Sequence, residues 1–330
     1  MRKDPGGDGA LAPDDDGDDP HQPPVDLLPF YAPPGPLTAL GTGLRLAVVG
    51  HVEWVSFVRV PALPRSGQIQ RASDLFEQAA GGGAVVAAQM ARLAGPVDVF
   101  TALGRDPLGE RAAAELSERG LNLHIAWREA PTRRAISFIE ASGERSITVY
   151  GERLSPCASD PLPWELLGSC DGVFVTACDA EALRHARRAK VLAATPRLGL
   201  PLIRATGVGL DALVGSASDP GESYGAGDLD PPPGVYVGTE GAQGGYTCPG
   251  GRFQAPQRSA VGLERCGGDT YGAGDSFAGG LTTALAAGWT LEEALALGSH
   301  CGAACITGRG AYAGQIDGAA AERRLGSVRD

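Results

Sequence analysis

The stretch GGDTYGAGDSFAGGLTTALAAG (267–288) carries the reading of this chain. Phe277, Leu281 and Leu285 recur every four residues, which lays one apolar stripe along a helix. Gly288 stops that helix, and Thr290 with Glu293 forms a T-x-x-E capping box that opens the next one. Gly272, Ala273 and Gly274 therefore stand at a helix N-terminus. Unpaired N–H groups and the helix dipole favour an anion there, and small residues let it approach the backbone. Asp275 falls in the first turn beside that position. It either stabilises the helix dipole or takes a proton from a hydroxyl that attacks a phosphoryl group. The residues alone leave both readings open.

An internal control supports weighing context above letters. Tyr224-Gly225-Ala226-Gly227-Asp228 repeats the five residues 271–275, but LDPPP follows it. Three prolines cannot propagate a helix, so this copy is expected in a loop. Other phosphate motifs fail. The two lysines, Lys3 and Lys190, stand in no Walker context, and the GTG at 41–43 precedes the first strand instead of following it. A dinucleotide oxidoreductase is thereby disfavoured.

Working outward, LRLAVVG (44–50), VDVFTALG (97–104), DGVFVTA (171–177), AKVLAAT (189–195) and GVYVG (234–238) read as short buried strands. GGGAVVAAQMARLAG (81–95), LGERAAAELSERG (108–120) and EALRHARRA (181–189) read as helices. Strands alternating with helices predict a parallel sheet with right-handed crossovers. WVSFVRV (54–60) and RRAISFIEASGERSITVY (133–150) alternate instead, the latter as a hairpin around ASGE. Half-buried strands of this kind predict a small second sheet.

The 330 residues are 43% hydrophobic and 20% charged, enough for a sizeable core. Residues 1–43 hold eight Asp, nine Pro and seven Gly, and are expected to be a disordered acidic tail ahead of one domain over 44–330. The net charge of −11 with no basic run argues against a nucleic-acid partner, and no apolar run reaches membrane-spanning length. The N-terminus lacks the apolar segment of a signal peptide. Seven cysteines without a CxxC pair read as reduced core thiols of a cytoplasmic protein, although Cys301 and Cys305 share one helical face.

At DTYGAGDSFAGG (269–280) the sequence resembles the C-terminal signature D-T-x-G-A-G-D of the PfkB, or ribokinase-like, carbohydrate kinases. AGGGAVVAAQMARLAG (80–95) is similar to the family's glycine signature, FTALGRDPLGE (100–110) to the stretch after it, DPGE (219–222) to N-x-x-E, and TEGAQGG (239–245) to T-x-G-x-x-G. The resemblance covers about residues 44–315 and implies an α/β fold, a Rossmann-type three-layer α/β/α domain with a small β-sheet lid at about 53–77 and 132–150. It implies an ATP-dependent sugar kinase acting on a primary hydroxyl. Asp275 would be the base and the N–H groups of Gly272, Ala273 and Gly274 the anion hole. Thr239, Gly241 and Gly244 would line the ATP site, with Ser299 and His300 near the adenine. Glu222, with Asp219 beside it, would position Mg2+ through water. Asp269 would lie near a monovalent cation such as K+. The lid would offer a homodimer interface.

The departures concentrate in the acceptor site, expected around Glu53, Gly81, Gly82 and Val85. The family's sugar-binding Asn falls on Val85 or Val86, depending on a one-residue gap, so an amide has become apolar. Glu53 stands where many members carry Asp, and Asp219 where they carry Asn. Two alternatives follow: a nucleoside kinase of the same family, or a non-catalytic ligand sensor with the same fold.

Overall fold

The computed structural model describes residues 43–256 and 268–326, so the acidic stretch up to residue 42 lies outside the described residues. The first half of the chain contains β1 (Leu46–Val49), β2 (Glu53–Arg59), β3 (Asp74–Ala80), α1 (Gly82–Ala94), β4 (Val97–Gly104), α2 (Pro107–Glu118), β5 (Leu121–Arg128), β6 (Arg134–Ile139) and β7 (Arg145–Tyr150). Then come β8 (Gly172–Val175), α3 (Ala180–Ala186), β9 (Val191–Ala194), α4 (Leu200–Thr206), β10 (Ala212–Ser216), β11 (Val235–Thr239), β12 (Gly245–Cys248) and β13 (Arg252–Phe253). The helices α5 (Ala273–Ala286), α6 (Leu291–Cys305) and α7 (Gly318–Gly326) complete the described chain.

Nine strands form the main sheet in the order β13-β12-β11-β10-β9-β8-β1-β4-β5. From β11 to β5 the pairing is parallel, and β12 and β13 add an antiparallel edge. The inner parallel strands are buried on both faces, as apolar runs such as LAVV demand. Leu46 and Val48 join one core cluster with α1, α2 and α5, whereas Ala47 and Val49 join a second with α3. Alternate side chains of one strand thus feed two helical layers, giving a three-layer α/β/α sandwich. The reading by hydrophobic runs misses β5 and β10, and it does not reach the short edge strands β12 and β13. β5 is an edge strand with half-buried alternation (LNLHIAWR), and β10 ends in Gly-Ser, so neither presents a long apolar run.

The alternating segments build a separate four-stranded sheet in the order β3-β2-β6-β7. The hairpin β6–β7 is antiparallel, while β2 lies parallel to β6. Phe57 stacks on Phe76 at 4.8 Å and meets Tyr271 edge-on at 4.9 Å, so this sheet's inner face rests on the segment leading into α5. On the opposite face Trp54 receives the Arg111 guanidinium of α2 at 4.4 Å.

Candidate active site

β1 is the strand at which the chain changes direction, with β4 and β5 on one side and β8 to β11 on the other. Crevices outside the carboxyl ends of strands at such a switch point are where open α/β sheets bind ligands. The residues immediately beyond β1 and β8 are Gly50-His51 and Thr176. The His51 N–H donates to Thr176 Oγ1 at 3.3 Å, and the His51 Nδ1 lies 3.4 Å from the same oxygen.

The start of α1 closes on this edge through three consecutive glycines. Gly81 caps the helix with φ of 93°, where an L side chain is strained. A Cβ on Gly83 would stand 2.8 Å from the His51 carbonyl oxygen, so this residue lets the helix meet the β1 backbone. A Cβ on Gly82 would stand 3.1 Å from Asp275 Oδ1 and 3.5 Å from His51 Cε1. The glycine signature and the first turn of α5 thus enclose one small space. Glu53 borders it, since a Cβ on Gly81 would lie 3.2 Å from its Cγ.

α5 begins at Ala273 after Gly272, which adopts a left-handed φ of 77°. A Cβ on Gly272 would press to 2.9 Å on Val85 Cγ1. In contrast, a Cβ on the exposed Gly274 would meet no atom within 4 Å. The space before the helix terminus is therefore open. The Ala273 N–H is only weakly occupied, reaching the Thr270 carbonyl at 3.4 Å. The second YGAGD, at 224–228, lies in a loop in which Asp228 accepts the Gly225 N–H at 2.7 Å.

Electrostatics distinguish Asp275 from an ordinary first-turn aspartate. Burial raises its carboxyl pKa to about 6, with the charges of Glu222 and Glu53 adding and those of Arg145 and Arg197 opposing. Glu53 is raised by burial against Arg133 and Arg153. His51 is lowered to about 3 by burial and by Arg153, Arg133 and Arg197, so its imidazole is neutral.

Asp219 and Glu222 come together through Arg197. The Arg197 Nε donates to Glu222 Oε1 at 2.5 Å, and its Nη2 pairs with Asp219. Glu222 Oε2 also accepts the Ser216 N–H at 2.7 Å, from the end of β10. Thr239 ends β11, and Gly241 and Gly244 shape its tight turn to β12 with φ of 58° and 85°. The Gly244 backbone is wedged against β13, where a Cβ would lie 2.1 Å from the Phe253 carbonyl oxygen.

Asp269 is 1% exposed and accepts the N–H groups of Tyr271 and Gly310 at 3.0 and 2.9 Å. The neighbouring Gly268 abuts the Ile306 and Gly308 carbonyls. Ser299 and His300 lie on α6, outside the Asp275 group. Ser299 Oγ and His300 Nδ1 are buried without a hydrogen-bond partner among the described residues, and burial lowers the His300 pKa to about 4. Val85 and Val86 are fully buried, with Val85 packed beneath Gly272. Cys301 and Cys305 face the core, and the described residues contain no metal-binding cluster of three or more His, Cys, Asp or Glu.

Sequence reading did not single out His51, Thr176, Arg133, Arg153 or Arg197. His51 and Thr176 carry one signal, their position just past the ends of buried parallel strands. The arginines carry none, because their partners are distant in the chain.

Comparison with known proteins places the fold and the family. The family model for the pfkB family carbohydrate kinases matches residues 44–206 and 235–317. Ribokinases of Dictyostelium discoideum and Arabidopsis thaliana are 26% and 30% identical over 109 and 110 residues. Each match covers 32% of this chain and only 34% and 29% of the relative. The chain thus matches about a third of the length of these curated relatives. Among solved structures, Arabidopsis thaliana ribokinase complexed with ribose and ATP has a TM-score of 0.65 at 20% identity, covering 86% of this chain and 98% of that one. Adenosine kinase from Sinorhizobium meliloti has a TM-score of 0.67 at 20% identity, covering 85% and 99%. These likenesses fix the fold, and the family match over most of the length fixes the membership: the chain belongs to the pfkB family of carbohydrate kinases.

Proposed function

We propose that the protein transfers the γ-phosphate of ATP to a primary hydroxyl of a sugar or sugar-like acceptor. Asp275 takes the hydroxyl proton, and the N–H groups of Gly272, Ala273 and Gly274 receive the charge that develops on the phosphoryl oxygens. One observation carries this reading. A carboxylate with its pKa raised to about 6 faces Gly82 and His51, beside a helix terminus with open space before it. A general base works best with a pKa near the operating pH. The acceptor site is bounded by Gly81, Gly82, Glu53 and His51, above Val85. Thr239, Gly241 and Gly244 line the nucleotide, with Ser299 and His300 toward the adenine.

Asp219 and Glu222 offer hard carboxylate oxygens without a third protein ligand. This fits Mg2+, which keeps most of its waters and takes further ligands from substrate phosphates. Bound there, the metal would neutralise charge on the phosphates. Glu222 would orient its water shell, and Arg197 would hold both carboxylates in place. Asp269 and the carbonyls of Ile306 and Gly308 would serve a monovalent cation such as K+. The second sheet would close over the acceptor as a lid and exclude water. Its outer face, with Leu75 at 63% exposure, would be the interface of a homodimer. The six described cysteines are all free, in keeping with a cytoplasmic protein. No helix among the described residues is long and apolar enough to cross a membrane.

The test is ADP release with Mg2+ and K+ across sugars, sugar phosphates, sugar acids and nucleosides. Acceptor-dependent release that falls about 10²–10⁴-fold in Asp275→Asn, with an unchanged circular dichroism spectrum, is expected. Near wild-type turnover in that variant would remove Asp275 from the chemistry.

A further inference from the structure

Where the second sheet joins the main domain, arginines crowd around the proposed acceptor site. Arg133 directly precedes β6, and its carbonyl accepts the Trp54 N–H at 2.9 Å, next to Glu53. Arg153 lies three residues beyond β7, in the loop that leaves it. Gly151 starts that loop beside Arg133, where a Cβ on Gly151 would lie 3.6 Å from the Arg133 Cα. Both arginines act on His51 and Glu53, the groups that border the acceptor space.

Their charges are poorly answered by protein. The Arg133 side chain is 16% exposed, and its Nε contacts Glu53 Oε2 at 3.5 Å, too far for a hydrogen bond. That Nε is buried and has no hydrogen-bond partner among the described residues. Arg153 is exposed and donates to the Arg197 carbonyl at 3.1 Å rather than to a carboxylate. Partial burial, and then the charges of Arg133 and Arg197, disfavour its own charge. Glu53 pairs with Arg133 at 3.5 Å and its charge favours that of Arg153, but burial disfavours its ionised form. Arg197, by contrast, is already matched by Asp219 and Glu222. A buried guanidinium nitrogen left unpaired costs stability unless something else pairs it.

Neutral hydroxyls do not require two guanidinium groups, but a phosphate or carboxylate does match their planar forks. Arg145 and Arg197 are the guanidiniums that lower Asp275, whereas Arg133 and Arg153 lower Glu53, which borders Gly81. We propose that the acceptor carries an anionic group, a phosphate or a carboxylate, held by Arg133 and Arg153 where the second sheet meets the main domain. The inference rests on the acceptor site proposed above and names the class of molecule it takes.

Binding tests this without relying on turnover. With Mg-ADP saturating the nucleotide site, thermal shifts and calorimetry would compare neutral pentoses and hexoses with their phosphate monoesters and with the matching sugar acids. At least one anionic class should bind 10-fold or more tightly than its neutral parent. Arg153→Gln, at an exposed position, should remove most of that preference, and Arg133→Gln should do the same. The class retained, phosphate or carboxylate, identifies the group. Neutral sugars binding as tightly as anionic ones would overturn the inference, as would an anion preference that survives in Arg153→Gln. Turnover separates this from the kinase reading. Efficient phosphorylation of neutral sugars alone overturns the anionic acceptor and leaves the kinase. Arginine-dependent anion binding with no ADP release under any condition does the reverse.

Discussion

Asp275 and Gly82 face each other so closely that a single methyl group on Gly82 would stand 3.1 Å from the Asp275 Oδ1. They are far apart in the chain, one opening α1 and the other opening α5. Their contact brings the two signature segments of the sequence into one site.

The Gly82→Ala variant tests that contact. Alanine suits the first position of α1 better than glycine. The added carbon would crowd both the Asp275 carboxylate and the His51 ring. We expect an unchanged or slightly higher Tm with turnover reduced about 10- to 100-fold, as for small misplacements of a reacting group. Full activity in Gly82→Ala would mean that Asp275 moves freely and is not positioned by this contact.

The Asp275 pKa of about 6 has two consequences of opposite sign. A base must be ionised, so kcat/KM should fall as pH drops through about 6. For stability the folded protein binds this proton more tightly than the unfolded chain, whose carboxyl titrates near 3.9. Stability from this group is therefore present at low pH and is lost as pH rises between about 4 and 6. At pH 8, Asp275→Asn should thus be more stable than the wild type by about 1–3 kcal/mol, measured by urea unfolding. A less stable variant at pH 8 would contradict the buried, raised carboxyl.

Val85→Asn would place an amide at one of the two positions, Val85 or Val86, where the resemblance puts the family's Asn. Here that position is fully buried beneath Gly272. The substitution exchanges apolar packing for a desolvated amide, so a loss of about 2–4 kcal/mol is expected. Thermal denaturation together with acceptor KM values would show whether the amide instead finds a hydroxyl and tightens neutral sugars.

Arg197 couples the paired carboxylates to Asp275, because its charge lowers the Asp275 pKa while that of Glu222 raises it. Arg197→Ala removes the lowering charge. The acid limb of the pH–rate profile should move to higher pH, and the Mg2+ concentration for half-maximal rate should change. A limb that stays in place would show that solvent screens Arg197, itself about half exposed, from Asp275.

Much of this protein was legible in local stretches of sequence. The stripe Phe277-Leu281-Leu285, the Gly288 stop and the Thr290–Glu293 box do form α5, its end and the start of α6, with both capping hydrogen bonds present. The prolines after the second YGAGD do hold it in a loop. These features are legible because helix periodicity, capping and proline geometry are settled by residues within a few positions of one another. The sheet order, the meeting of His51 with Thr176 over 125 positions, the pairing of Arg197 with Asp219 and Glu222, and the gathering of Arg133 and Arg153 beside Glu53 were decided only by the tertiary structure. So was the packing of Val85 against Gly272, at a position the sequence offers as an altered ligand contact. The physical reason is shared. Burial and long-range charge set these relationships, and neither can be assigned until distant segments are packed side by side.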